Sequence, residues 1–379
     1  MELSSIVLID LQKAFDTVNF SILYHKLRAI GLNDTCVAWF ESYLTNRKQF
    51  VQVNNTVSDF GDVSCGVPQG SILGPLLFTI YVNDMKQSVT CDLMLYADDS
   101  ALLLSGKNPE EIGKKLSTEL DNLSVWLEQN KLSLHIGKSE SILFGTKAKL
   151  RSANTMSVQC KGVTLESKSC VKYLGVTIDK HLNCSDMGKR VLQNVNRKLK
   201  FLYRKKDYFG ANERKLVCAS FLQSHFDYAC NYWYRSLSCS IKNKLQCAQN
   251  KIIRYVLNYH PRKHVGFQEF RKLGWLNVSS RVDYLTLNLM YCIFNGSAPA
   301  YFSNFYYVNH RYSTRRSQAA FVKSHVGTMT KYSFKASGIK LWNDLPANVK
   351  TASSKSSFKK LCKSFLMDQM NTREISEFI

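Results

Sequence analysis

The sequence predicts an α+β protein: an antiparallel sheet with packed helices first, then a mainly helical, strongly basic remainder. Three observations carry this. Short apolar runs of strand length alternate with longer segments of helical period up to about residue 180. From about residue 185 the pattern is helical and rich in aromatic residues. The charge divides at the same place: residues 1–150 hold 13 Lys/Arg against 17 Asp/Glu, whereas residues 151–379 hold 38 against 12. A chain of 379 residues has ample length for a core and for two or three domains.

Taken in order, Ile6-Val7-Leu8-Ile9 ending in Asp10 reads as a strand buried on both faces, because its apolar run is continuous. Ile22, Leu23, Leu27 and Ile30 predict a helix over 21–30 that stops at Gly31. Asp34 opens a second helix through Val37, Trp39, Phe40 and Leu44. Alternating residues 50–53 and 57–63 around Asn54-Asn55 read as a hairpin. It leads into Cys65-Gly66-Val67-Pro68-Gln69-Gly70-Ser71-Ile72-Leu73-Gly74-Pro75, where Gly74-Pro75 suits an early helical turn. Leu93-Met94-Leu95 and Ala101-Leu102-Leu103-Leu104 flank Tyr96-Ala97-Asp98-Asp99, a hairpin with carboxylates at its tip. Asn108-Pro109-Glu110-Glu111 starts a helix that runs to about Gln129 and buries Ile112, Leu116, Leu120, Leu123 and Leu127.

The acids suggest chemistry. Two carboxylates on a buried hairpin call for a cation, since unpaired buried charge is costly. Mg²⁺ suits bare carboxylates and keeps room for waters and phosphates. Asp10, at a strand end, is placed to share that cation. Two metals roughly 3.5–4 Å apart would activate a hydroxyl and stabilise a leaving pyrophosphate. Taken singly, Asp98-Asp99 reads equally as an exposed turn, and the lesser alternative for Asp10 is the cap of the next turn. Gly66, Gly70 and Gly74 let backbone approach a ligand closely, although they match neither common phosphate-loop pattern.

Asp10-x-x-Lys13-Ala14-Phe15-Asp16, the Gly66–Phe78 block, Tyr81-Val82-Asn83-Asp84 and Tyr96-Ala97-Asp98-Asp99 follow one another in order. Asn130-Lys131-Leu132 with Lys138-Ser139-Glu140, and Lys172-Tyr173-Leu174-Gly175-Val176-x-Ile178-Asp179, come after them. Together they resemble the reverse transcriptase of non-LTR (LINE-type) retrotransposons, over about residues 6–180. The resemblance implies a polymerase palm over 1–182, a helical thumb-like region over 183–260 and a basic C-terminal region of unknown role over 261–379. It implies RNA-directed DNA polymerisation by two Mg²⁺ ions, with Mn²⁺ able to substitute, held by Asp10, Asp98 and Asp99. Partners would be an RNA template, a DNA primer and deoxynucleotide triphosphates.

By the same resemblance, Phe15 excludes the 2′-hydroxyl of a ribonucleotide, which disfavours an RNA-dependent RNA polymerase. Gln69 and Gly70 sit against the nucleotide, Lys138 protonates the leaving pyrophosphate, and Leu174 and Gly175 grip the primer. His135 and Ser139 replace the Asn and Thr usual beside that lysine. The family's fingers subdomain, which supplies basic residues that clamp the triphosphate, precedes the first strand, where this chain has only five residues. The expectation is therefore a palm and everything C-terminal to it, without the nicking endonuclease, and with weak or no activity. The rival reading is a truncated, inactive remnant that binds nucleic acid.

Beyond residue 183, Lys189-Arg190, Arg197-Lys198, Lys200 and Arg204-Lys205-Lys206 lie among Leu192, Val195, Leu199 and Leu202, a basic helix suited to a template–primer duplex. The interleaved aromatics, such as Tyr203, Tyr208, Phe221 and Trp233, either stack bases or pack a core. Arg311–Arg316 and Leu341-Trp342-Asn343-Asp344-Leu345-Pro346 have no assignable chemistry, residues 351–363 read as a solvated helix or nucleic-acid arm, and the last ten residues look frayed. The twelve cysteines include no Cys-x-x-Cys pair to anchor zinc. With no leader pattern and no long apolar run, no membrane is expected as a partner and the expected compartment is nuclear or cytoplasmic; oligomeric state is not readable.

Overall fold

Leu3–Ile9 is the middle strand of a five-stranded sheet in this computed structural model, which describes residues 2–152, 155–305, 321 and 331–377. Its neighbours are Asp99–Gly106 on one side and Glu140–Phe144 on the other, both antiparallel. Asp92–Tyr96 extends the sheet beyond the first of these, and the short parallel strand Glu166–Ser167 beyond the second. The sheet belongs to the first of two compact units, Met1–His181 and Leu182–Ile379. The first mixes helix and sheet and the second is mainly helical.

The first strand is not buried on both faces. Leu3, Ser5, Val7 and Ile9 are buried while Ser4, Ile6 and Leu8 are only partly covered. The alternation arises because the sheet is antiparallel: such sheets need cover on one face only. The buried face packs with the helix Pro109–Gln129, which buries Ile112, Leu116, Leu120, Leu123 and Leu127 as its spacing requires. Asn108 caps that helix by accepting from the Glu110 N–H, and Pro109 occupies its first turn, where a missing N–H costs nothing.

Phe20–Ala29 and Asp34–Leu44 start on Asn19 and Asn33, whose side chains accept from Ile22 and Cys36. Leu73–Val82 is almost wholly apolar and buries Leu77, Phe78, Tyr81 and Val82. The Tyr81 hydroxyl donates to the Asn130 carbonyl at 2.5 Å, and burial pushes that phenol up to about 12. Lys26, largely buried, reaches Asp84 and the Tyr81 carbonyl, each at 2.6 Å, and lies over the Trp126 ring. Burial lowers its pKa despite the Asp84 partner, and Asp84 of the Tyr-x-Asn-Asp block is thus an ion-pair partner of Lys26.

In the second unit, Ser185–Arg204 turns Val191, Val195, Leu199 and Leu202 inward. Arg281, on Val278–Phe294, holds Asp227 through two hydrogen bonds of 2.9 and 2.7 Å. Trp342, fully buried on Phe334–Asn343, packs against Phe294, Phe321 and Phe358. Asn343 exchanges two hydrogen bonds with the Phe321 backbone. The Leu-Trp-Asn-Asp-Leu-Pro block is thus a core element. Lys355–Glu377 is one helix that buries Phe358, Cys362, Leu366 and Met370, so residues 351–363 are not simply solvated, and helix replaces most of the expected frayed end. Arg311–Arg316 lies outside the described residues. No helix among the described residues is long and apolar enough to cross a membrane.

Candidate active site

Antiparallel register fixes where the acids meet. Leu3 pairs with Gly106 and Ile9 with Ser100, so the chain leaves the first strand at Asp10 just where the neighbouring strand begins at Asp99. Asp99 pairs with Tyr96, leaving Ala97-Asp98 as a two-residue hairpin loop with Ala97 at φ +54°. Asp98 and Asp99 are exposed and Asp10 is half-exposed, so the tip is not the buried hairpin expected from its apolar flanks. Those flanks end short of the acids, at Leu95 on one side and Ala101 on the other. Partial burial, then the nearby charges of Asp98 and Asp10, still raise the Asp99 carboxyl above the usual range.

The Asp10 backbone is held from the far side. Its carbonyl accepts from the His135 N–H at 2.8 Å, and its N–H donates to Ser139 Oγ at 3.3 Å. Ser139 supplies the hydroxyl that the position uses, so its departure from Thr leaves this contact intact. Lys138 Nζ stands 4.0 Å from Asp10 Oδ2, with both side chains largely in solvent. Such a pair contributes little to stability, but it places an ammonium beside the carboxylates.

The glycine loop is pressed onto the turn that follows Asp10. Gly66 and Val67 donate to the carbonyls of Val18 and Phe15 at 2.8 and 2.9 Å. A Cβ on Gly66 would sit 2.7 Å from the Asp16 carbonyl oxygen, and its φ is +88°, so only glycine fits. A Cβ on Gly74 would strike the Pro68 carbonyl. Gln69 Nε2 donates to Asp16 Oδ1 at 2.9 Å, and Phe15 stacks on Phe78 with ring centres 4.4 Å apart. Gly70 has φ +81° and open space around it. Arg47 fastens the assembly: its Nη2 donates to the Gly66 carbonyl at 2.7 Å and its Nε to that of Leu44 at 3.1 Å.

Leu174 and Gly175 form the tip of a separate hairpin, Cys170–Tyr173 with Val176–Asp179, both with positive φ as a tight two-residue turn requires. Burial and the Asp99 charge raise the Tyr173 phenol, which places this hairpin within electrostatic reach of the acids. Among residues with no role foreseen, Asp16 stood inside the quoted motif, whereas Arg47 acts on carbonyls and leaves no side-chain pattern to find.

The reverse transcriptase (RNA-dependent DNA polymerase) family matches residues 2–178. A probable RNA-directed DNA polymerase from transposon BS of Drosophila melanogaster is 29% identical over 267 residues, 67% of this chain and 29% of that protein. The corresponding protein of transposon X-element in the same species is 26% identical, over 65% of this chain and 28% of its own length. The RNA-directed DNA polymerase of mobile element jockey, also from D. melanogaster, is 25% identical over the same shares. Residues 2–178 form a reverse transcriptase domain of the LINE type. The chain spans under a third of the length of these relatives.

In this reverse transcriptase domain the donor set fits Mg²⁺ or Mn²⁺: all three ligand candidates are carboxylates, and Asp99 is crowded by the other two. As they stand, no three acidic, imidazole or thiol side chains among the described residues are gathered closely enough to hold a metal ion. In the second unit, Lys189, Arg197, Lys200 and Arg204 are exposed on Ser185–Arg204, on the face opposite Val191, Val195 and Leu199.

Proposed function

We propose that the chain carries the palm and thumb of an RNA-directed DNA polymerase that adds deoxynucleotides to a primer 3′ hydroxyl. The observation that carries the reading is the strand register, which sets Asp10 beside Asp99 with Asp98 at the adjoining tip. Asp10, Asp98 and Asp99 would hold divalent ions, which when bound supply Lewis acidity to the attacking hydroxyl and the departing phosphate. Lys138, within 4.0 Å of Asp10, holds a proton for the leaving pyrophosphate. Phe15, braced from below by Phe78, closes the space a 2′-hydroxyl needs. Asp16 orients Gln69 against the incoming nucleotide, with Gly70 leaving that side open. Leu174 and Gly175 abut the primer end.

The basic face of Ser185–Arg204 suits the phosphates of the template–primer duplex: Lys189, Arg197, Lys200 and Arg204 share one exposed side of a helix that rises about 1.5 Å per residue. The test is primer extension on an RNA template with Mg²⁺ and then Mn²⁺, beside Asp98→Ala. Extension lost in the variant, with salt-sensitive duplex binding retained, is the expected result. Undiminished extension by the variant would remove the site assignment.

A further inference from the structure

We infer that Tyr81 is a positioning residue for the metal-binding acids, its buried hydroxyl closing a loop of hydrogen-bonded backbone that fixes Asp10. The inference rests on the polymerase reading and deepens it. It also gives the Tyr81-Val82-Asn83-Asp84 block, which the reaction otherwise leaves unused, a part in building the site.

Beyond Asp10 the chain turns and reaches Asn19, the cap of Phe20–Ala29. The Asn19 N–H donates to the Tyr81 hydroxyl at 3.3 Å, and that hydroxyl donates to the Asn130 carbonyl at 2.5 Å. From Asn130, at the end of Pro109–Gln129, the chain runs back to the acid. There Leu134 bridges Leu11, the Gln12 N–H donates to the Ser133 carbonyl, and the His135 N–H donates to the Asp10 carbonyl, both at 2.8 Å. Residues 10–19, one phenol and residues 130–135 thus form a closed loop that begins and ends at Asp10. A hydroxyl suits the junction because it donates and accepts at once.

Tyr81 is itself held firmly. It is fully buried near the end of Leu73–Val82, and Lys26 donates to its carbonyl at 2.6 Å while lying 5.0 Å from its ring centre. The loop ahead of the same helix bonds the Phe15 and Val18 carbonyls, so the turn after Asp10 is gripped from both ends of one helix. The Asp10 side chain is half-exposed with Lys138 4.0 Å away, so its backbone decides where its carboxylate stands. Phenylalanine at 81 keeps the ring but leaves the Asn130 carbonyl and the Asn19 N–H without this partner, opening the loop at one point.

Two readouts reach the site without turnover. Mn²⁺ is titrated into the full chain and its free fraction read by electron paramagnetic resonance, and amide exchange is followed at Gln12 and His135. Both are run at a temperature at which circular dichroism shows every variant folded. Tyr81→Phe should weaken Mn²⁺ binding about fivefold and speed exchange at both amides. In primer extension it should lower kcat about tenfold and leave KM for the deoxynucleotide within about twofold, as expected for a displaced reacting group. Ser5→Ala is the control for stability alone, since it too removes a buried hydroxyl that donates to a backbone carbonyl, that of Ile142. It should lower Tm comparably and leave Mn²⁺ binding unchanged. In an Asp10→Asn background Tyr81→Phe should weaken Mn²⁺ binding no further, because the tyrosine acts through that acid. Unchanged Mn²⁺ binding in Tyr81→Phe would overturn the inference. So would an equal loss in Ser5→Ala, or a full loss in the Asp10→Asn background, either of which would leave the tyrosine a structural role only. The polymerase reading fails separately, through undiminished extension by Asp98→Ala.

Discussion

Arg47→Ala is the perturbation that best tests how the site is held. The guanidinium is half-buried and donates to two carbonyls, Gly66 at 2.7 Å and Leu44 at 3.1 Å. Each hydrogen bond from a charged donor contributes about 1–1.5 kcal/mol here, so the variant should lose about 2–3 kcal/mol. For a unit of this size that is roughly 5–10 °C in Tm. Arg47→Lys keeps the charge and one contact and should fall about midway. The loop should loosen with the stability, because Gly66 is the residue Arg47 pins and Gln69 follows three positions on. Thermal melting reads the first effect, and limited proteolysis within residues 64–72 reads the second. A variant that melts within about 1 °C of the parent and resists protease equally would refute the argument.

Gly66→Ala adds a Cβ 2.7 Å from the Asp16 carbonyl oxygen at φ +88°, and should destabilise the domain by about 2–4 kcal/mol in a thermal melt. Asp99 carries a raised carboxyl pKa, so its ionised form costs stability above that raised value and costs nothing below the ordinary carboxylate pKa. Without divalent ions, Asp99→Asn should therefore melt higher than the parent near neutral pH, with the gap closing as pH falls through the carboxylate range. Added Mg²⁺ should raise the parent's Tm and not the variant's. Trp342→Ala should cost about 3–5 kcal/mol and unfold the second unit first, read by calorimetry. Removing Arg197, Lys200 or Arg204 singly should lower the salt slope of duplex binding by about one.

Much of this was legible in the chain because the signals were local. Asn108-Pro109 announced the helix start and the spacing of Ile112 to Leu127 its buried face, and both stand as read. Asn54-Asn55 and Ala97-Asp98 marked tight turns that the strands then confirm. The apolar run 6–9 misled, because continuity alone does not reveal which face of an antiparallel strand is covered. The acids were legible as a trio, but their exposure depends on where the flanking strands stop. Arg47 and Trp342 were opaque for a different reason: each acts on partners distant along the chain, Gly66 for one and Phe294 and Phe358 for the other.

The middle strand of the sheet precedes both of its partners in the chain. Leu3–Ile9 zips to residues 99–106 and 140–144, so during synthesis it waits for more than ninety residues before either partner exists. Pairings so far apart in sequence close slowly, and an unpaired apolar strand is exposed to misassociation meanwhile. Asp10 acquires its neighbour only when that closure occurs. A nascent chain arrested before residue 98 thus holds one of the three acids, and the second ladder must wait for residue 144. The three acids of the proposed site are brought together late and all at once, as a product of closing the sheet.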